Sequence, residues 1–194
     1  MKFPAWRQSL VRSLHVQRSR PESKFFQVAS VSPTGQINNR TMVFRGFVED
    51  SLDLLAITDS RSDKIQDWQT KAEAEICWYF VKTREQYRIR VNVITYQQAD
   101  NHVRNNIYTN LSKNAKAQFL WPTPKVPIDN DVLDGNSTSV DEENKDVFQT
   151  PPSNFVVVRF VPSYVDYLHL CEPPQNRELH ELIDNKWLVT KVTA

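Results

Sequence analysis

Residues 86–96 constrain this chain more than any other stretch. Tyr87, Ile89, Val91 and Val93 alternate with Arg88, Arg90 and Asn92. A period of two puts an apolar row on one side of an extended strand and a charged row on the other, so a sheet with one wet face must run through this point. The aromatic-rich run 75–82 (EICWYFVK) reads as its partner strand, with Lys82-Thr83-Arg84-Glu85 as the polar connection.

The same reading extends outward. Residues 25–31 are aromatic and β-branched and end at the turn sequence Ser32-Pro33-Thr34-Gly35. Residues 37–48 and 52–58 follow as strands around Glu49-Asp50-Ser51, and the succession reads as a meander. Later, 155–161 (FVVVRFV) reads as a buried strand and 165–170 as another, while 179–183 and 187–192 flank Asp184-Asn185-Lys186, a hairpin composition.

Helices are fewer. Trp6, Leu10 and Leu14 recur at helical spacing before Pro21. Ser60 and Asp63 resemble a capping box for a short helix that turns Ile65 and Trp68 inward. Residues 100–120 read as one helix, ended by Pro122, Pro124 and Pro127. The acidic run that follows places a flexible, solvated loop at 123–152. The expectation is a single mainly-β domain over 1–194: an antiparallel, barrel-like sheet with flanking helices.

Composition then removes several functions. Lys and Arg number 24 against 23 Asp and Glu, a net charge of +1, which weighs against a nucleic-acid partner. Three glycines cannot build a P-loop or a dinucleotide fingerprint, and neither pattern occurs. Cys77 and Cys171 lie far apart without metal-ligand spacing and read as buried thiols, so no metal is expected. No apolar run approaches the ~20 residues of a membrane span, and the first twenty residues hold no signal-like stretch. The expectation is a cytoplasmic protein with no membrane partner.

Three clusters carry candidate chemistry. In Asn39-Arg40-Thr41-Met42-Val43-Phe44-Arg45 two arginines interrupt an apolar strand, each in need of an anion; salt bridges within the protein are the bland alternative. Thr58-Asp59-Ser60-Arg61-Ser62-Asp63-Lys64 gathers hydroxyls and cations at a helix start, where free amides favour an anion; a well-capped helix is the alternative. In Thr83-Arg84-Glu85-Gln86-Tyr87-Arg88, Gln86 offers both a donor and an acceptor.

In this order the stretches NRTMVFRGF, TDSRSDK, EICWYF, KTREQYRI and PQNRELHEL make the chain resemble the pyridoxamine 5'-phosphate oxidase-like family of FMN-binding split barrels, in its branch of FMN-binding proteins common in cyanobacteria. The resemblance implies a six-stranded antiparallel split β-barrel, a homodimer, and FMN in the cleft between subunits. It implies that Arg40 and Lys64 bind the FMN phosphate, with Ser62, Thr58 and Arg61 beside them. Thr41, Met42 and Val43 would present backbone to the ring system, and Gln86 would contact the flavin. Arg177 and His180 resemble a segment that approaches the ring and substrate from the other subunit, and stand as the catalytic candidates.

The substrate half departs from the oxidase pattern. Arg45 replaces a lysine that binds substrate phosphate, and Asp63 replaces an arginine. Tyr108 matches a tyrosine, but Ser112 and Lys116 stand in place of an arginine and a serine. Leu168 falls near a flavin-contacting tryptophan, and Arg177-Glu178-Leu179-His180 is one residue longer than the oxidases' Arg-Leu-His. Arg45, Tyr108, Lys116, Arg177 and His180 are therefore the substrate-binding candidates. The resemblance implies a flavin-dependent oxidoreductase acting on an unidentified small substrate, and the departures weigh against pyridoxamine 5'-phosphate oxidase activity. A flavin carrier without turnover, or a heme-binding barrel, is the alternative; no histidine here has an axial-ligand context.

Overall fold

The computed structural model describes residues 3–127, 148–170 and 173–194. Helix α1 (Ala5–Val16) leads through a 3-10 turn (Pro21–Lys24) into β1 (Phe25–Val31), β2 (Ile37–Val43), β3 (Gly46–Phe47) and β4 (Leu54–Asp59). Then come α2 (Lys64–Thr70), β5 (Glu73–Phe80), β6 (Glu85–Tyr96), α3 (His102–Thr109), α4 (Lys113–Ala117) and a 3-10 turn (Gln118–Leu120). The chain ends in β7 (Phe155–His169), β8 (Asn176–Ile183) and β9 (Lys186–Val192).

All nine strands join one antiparallel sheet of order β2-β1-β5-β6-β7-β4-β3, with β8 and β9 added beside β7. The expectation of six strands is thus too few for the described residues. The meander expectation also needs correction. β1 pairs with β2 as foreseen, but β4 pairs with β7, so β2 and β4 end up at opposite ends of the sheet path. The sheet curls until β2 comes alongside β4 without pairing to it. It is barrel-like and not closed, and the seam where it fails to close is the feature the candidate site uses.

Strand β7 explains how one sheet carries three neighbours. Its first half, Phe155 to Phe160, pairs with β4, and its second half, Tyr164 to His169, pairs with β8. β6 lies along both halves. Pro162 has no N–H to donate, and the register with β6 slips beside it, between Arg90 and Val91. The two strands expected at 155–161 and 165–170 are one strand bent at this bulge.

Alternation decides which side chains are inside. Leu54, Ala56, Val156, Val158 and Phe160 face the main core with Phe26, Val28, Ile76, Trp78 and Ile89, under Trp6 and Leu10 of α1 and Ile65 and Trp68 of α2. Leu55, Phe155 and Val157 face the other way, into a smaller core with Tyr108 and Phe119. This half of the sheet is buried on both faces, which is why 155–158 reads as a continuous apolar run. α1 is pinned from below: the buried Glu85 carboxylate accepts from Tyr167 Oη at 2.6 Å, from Arg12 at 2.7 Å and from Ser13.

Two helix expectations also change. Residues 100–120 break into α3 and α4, because Ser112 caps a new helix by accepting from the Ala115 N–H at 3.3 Å. No capping box precedes α2: Asp63 is its N-cap with helical dihedrals and makes no side-chain cap bond. Of the loop expected at 123–152, residues 128–147 lie outside the described residues, as does Cys171. Cys77 is a half-buried free thiol whose pKa burial raises.

Candidate functional site

The seam between β2, β4 and α2 holds a groove with two connected segments. One, of about 380 Å³, is lined by Asn38, Arg40, Ser62, Lys64, Pro124 and Lys125 among others. The other, of about 280 Å³, continues past Thr41, Met42 and Val43 to Arg45, Ile57, Phe119 and Trp121. Thr41, Ser62, Lys64 and Pro124 border both.

At the first segment the cations are set from three elements. Arg40 comes from β2. Its guanidinium donates to Ser30 Oγ at 2.6 Å, to the Val28 carbonyl at 3.2 Å and to Asp67 Oδ2 at 3.2 Å. Asp67, on α2, is buried and also accepts from Ser30 at 2.6 Å and Asn38 at 3.0 Å. Burial alone would raise the Asp67 pKa; the donors from Ser30, Asn38 and Arg40 outweigh it, and the net shift is downward. One carboxylate thus fixes Arg40 in place.

Lys64 differs. Its ammonium donates to Thr58 Oγ1 at 2.9 Å and makes no ion pair among the described residues. Its pKa is lowered, first by burial and next by the positive charge of Arg40. The two cations therefore sense each other across one groove, and the carboxylates near them are engaged by other cations: Asp67 by Arg40, Asp59 by Arg61 and Asp63 by Lys125. An anion in the groove would relieve that repulsion. Whatever attraction the groove has for an anion comes from these cations and not from the end of the seven-residue α2.

Along the second segment β2 supplies backbone. It ends the sheet path, so one edge has no strand partner, and edge N–H and C=O groups can meet the polar rim of a flat ligand. Arg45 stands exposed at the far end with no ion pair or side-chain hydrogen bond among the described residues, and partial burial lowers its pKa with no acid opposing the shift. Arg61 borders the groove but is committed elsewhere: Asp59 takes its guanidinium at 2.6 and 2.9 Å, and the Trp121 carbonyl accepts from it at 3.0 Å.

Other expected site residues lie away from the groove. Gln86 sits on the outer sheet face, in register with Tyr79, Leu168 and, one strand further, Arg177. Arg177 is held by Asp166 at 2.7 and 2.9 Å. His180 alternates to the opposite face and is fully buried, its Nε2 3.2 Å from Glu178 Oε2. Burial lowers its pKa, against an opposing pull from Glu178. Within one chain, then, Arg177 and His180 do not converge.

Tyr108 and Lys116 lie in the α3–α4 region, outside the residues that line the groove. Tyr108 is buried against Phe155, ring centroids 4.9 Å apart. Lys116 is buried too, and donates to the Phe148 carbonyl at 2.8 Å and the Thr109 carbonyl at 3.4 Å. These two side chains hold the α3–α4 cap onto the sheet. A larger hollow of about 600 Å³ along β1, β5 and β6 carries no uncompensated charge of note: Lys71 pairs with Glu73 at 3.0 Å and Arg90 with Glu75 at 3.7 Å.

Sequence reasoning missed Asp67, Ser30 and Asn38, the groups that orient Arg40, and Trp121 at the groove rim. The one available signal was Asp67 itself, a carboxylate between the inward Ile65 and Trp68. Ser30 could be found only through the β1–β2 register.

The chain and its fold have known counterparts. The sequence profile of the pyridoxamine 5'-phosphate oxidase FMN-binding domain matches residues 3–97. The pyridoxine/pyridoxamine 5'-phosphate oxidase 2 of Arabidopsis thaliana is 32% identical over 171 residues, covering 85% of this chain and 83% of that protein. The crystal structure of a pyridoxamine 5'-phosphate oxidase-related FMN-binding protein from Nostoc punctiforme superposes with a TM-score of 0.89 at 34% identity, covering 100% of this chain and 99% of the other. PhzG from Burkholderia lata, solved with tetrahydrophenazine-1-carboxylic acid, has a TM-score of 0.78 at 17% identity, covers 100% and 98%, and shares the fold. The chain belongs to the pyridoxamine 5'-phosphate oxidase-like family of FMN-binding proteins. FMN is the cofactor of that family's domain, and the paired cations at the seam suit its phosphate. No helix among the described residues is long and apolar enough to cross a membrane.

Proposed function

We propose that this protein holds FMN in the seam groove and works as a flavin-dependent oxidoreductase on a small substrate. The observation that carries the reading is the Arg40–Lys64 pair, two cations on one groove whose nearby carboxylates, Asp59, Asp63 and Asp67, are each engaged by another cation (Arg61, Lys125 and Arg40) and not by Lys64. Arg40 and Lys64 would take the phosphate, with Ser62 and Thr58 beside them. Each charge-assisted bond to a phosphate oxygen contributes about 1.5–3 kcal/mol. The Thr41, Met42 and Val43 backbone would border the ring. Bound there, FMN supplies the redox chemistry, and the chain supplies binding, orientation and electrostatics.

A homodimer completes the reading. Gln86 and Arg177 share a row on the outer sheet face, away from their own chain's groove. A second copy can bring that row to the flavin, as the family resemblance implies. Oxidation of pyridoxamine 5'-phosphate, the activity named for the Arabidopsis relative, is not the reading favoured here, because Tyr108 and Lys116 are occupied in the α3–α4 cap.

Purified protein should be yellow, or become so on addition of FMN, with bound-flavin bands in its visible spectrum. A colourless preparation that takes up no FMN overturns the proposal. With the flavin-loaded protein, pyridoxamine 5'-phosphate and oxygen should give little pyridoxal 5'-phosphate or peroxide; brisk formation of both would restore the oxidase reading.

A further inference from the structure

The phosphate end of the groove is short of free positive charge. Its charged wall residues are Arg40, Asp63, Lys64 and Lys125. Arg40 already shares its guanidinium with Asp67, and Asp63 is paired with Lys125. Of the three cations, only Lys64 has no acid partner among the described residues. A phosphate monoester carries nearly two negative charges. While the Asp63–Lys125 pair is closed, this wall offers it one free cation and one shared cation.

That pair is the part of the wall that can change. The Lys125 ammonium donates to Asp63 Oδ2, and the two side chains are 77% and 54% exposed. Water and salt screen such a pair, so it contributes little and is readily exchanged. A lysine ammonium is a point charge with three donors on a flexible four-carbon stem, so re-aiming it needs no backbone movement.

The backbone that carries Lys125 is held independently of the pair. Arg61, clasped by Asp59, donates to the Trp121 carbonyl at 3.0 Å and to Thr123 Oγ1 at 3.5 Å. Pro124, next to Lys125, borders both segments of the groove. Releasing Asp63 therefore leaves Lys125 at the groove wall. A phosphate bound by Arg40 and Lys64 repels the Asp63 carboxylate and attracts the Lys125 ammonium, and it offers several charged oxygens in exchange for one screened partner.

We propose that Lys125 is a third phosphate-binding cation of this groove, resting on Asp63 when the groove is free and turning to the phosphate when FMN binds. Asp63 is then the acid that competes with the ligand. The inference rests on the FMN reading above and adds a binding residue to that same site.

The test titrates FMN and riboflavin into apoprotein, read by flavin fluorescence, for Lys125→Met, Asp63→Asn and the double variant. Both side chains are exposed, so neither substitution disturbs a core. Lys125→Met should weaken FMN binding by about fivefold or more and leave riboflavin within about twofold, because only FMN carries the charged oxygens. Asp63→Asn should tighten FMN binding, since it frees the ammonium and removes a like charge; unchanged or weaker binding overturns the competing role of Asp63. The decisive comparison is Lys125→Met made in the Asp63→Asn protein. A lysine that touches the phosphate still costs about threefold or more there, whereas a lysine that only neutralises Asp63 has nothing left to neutralise. A smaller loss in that background overturns the proposal, and so does a loss of riboflavin affinity that matches the loss of FMN affinity. A protein that takes up neither flavin overturns the cofactor reading itself, and shows it before any variant is compared.

Discussion

The seam groove and the α3–α4 cap contain similar residue types with opposite fates. At the seam, Arg40 is steered by Asp67 and Ser30 while Lys64 keeps its charge without a carboxylate partner. In the cap, Lys116 is buried and donates to two backbone carbonyls, over a Tyr108 ring 4.9 Å away. A cation marks a ligand site when its donors are left unsaturated in a concave place. The same cation with its donors filled by carbonyls is structural. Residue identity does not distinguish the two; a place on the groove wall beside a second cation does.

The sharpest way to break this comparison is to empty the seam. Replacing both Arg40 and Lys64 with Ala should cost about 3–6 kcal/mol of FMN affinity, roughly a hundredfold or more, in a fluorescence titration of flavin into apoprotein. Loss of less than tenfold would make the pair ordinary surface charge.

Next comes the carboxylate that orients Arg40. Asp67→Asn should destabilise the apoprotein by about 3 kcal/mol in urea unfolding, because it strands a largely buried guanidinium. Added FMN should narrow the gap by supplying a replacement anion. The intact pair carries a pH signature. The folded Asp67 pKa lies below its ordinary value, so its contribution is present above the ordinary carboxylate range and fades as pH falls through the lowered value.

The cap should respond in the reverse sense. Lys116→Met should cost about 2 kcal/mol of stability, since the Phe148 carbonyl loses its donor, and should leave FMN affinity within about twofold. A large loss of FMN affinity there would collapse the distinction between the two regions.

The smallest effect is a titration. In the apoprotein the Lys64 pKa lies below its ordinary 10.5, and the bound phosphate favours the charged form. FMN affinity should therefore decline by up to about tenfold as pH climbs through the lowered value, and the decline should vanish in Lys64→Ala.

Some of this was legible in the sequence for physical reasons that can be named. Alternation at 86–96 fixed a strand with one wet face, and Trp6, Leu10 and Leu14 fixed α1, because period alone decides which face is buried. Arg40 stood out as a charge on an apolar strand that needed a partner, while Thr58 and Lys64 were singled out within their cluster by the family resemblance. What stayed illegible depends on long-range pairing. Nothing local to β4 says that it pairs with β7 and not with β2, yet that choice opens the seam. Lys116 looked like a ligand contact because its carbonyl partners, Thr109 and Phe148, declare themselves only once the cap has folded. The alternation that sends Arg177 and His180 to opposite faces was available in principle, once residues 176–183 were taken as one strand.

The most direct test of the central claim compares FMN with riboflavin, which lacks only the phosphate. If Arg40 and Lys64 grip that group, FMN should bind at least a hundredfold more tightly than riboflavin, and the two affinities should converge in the Arg40→Ala, Lys64→Ala double variant. Riboflavin bound as tightly as FMN by the unsubstituted protein would contradict the account.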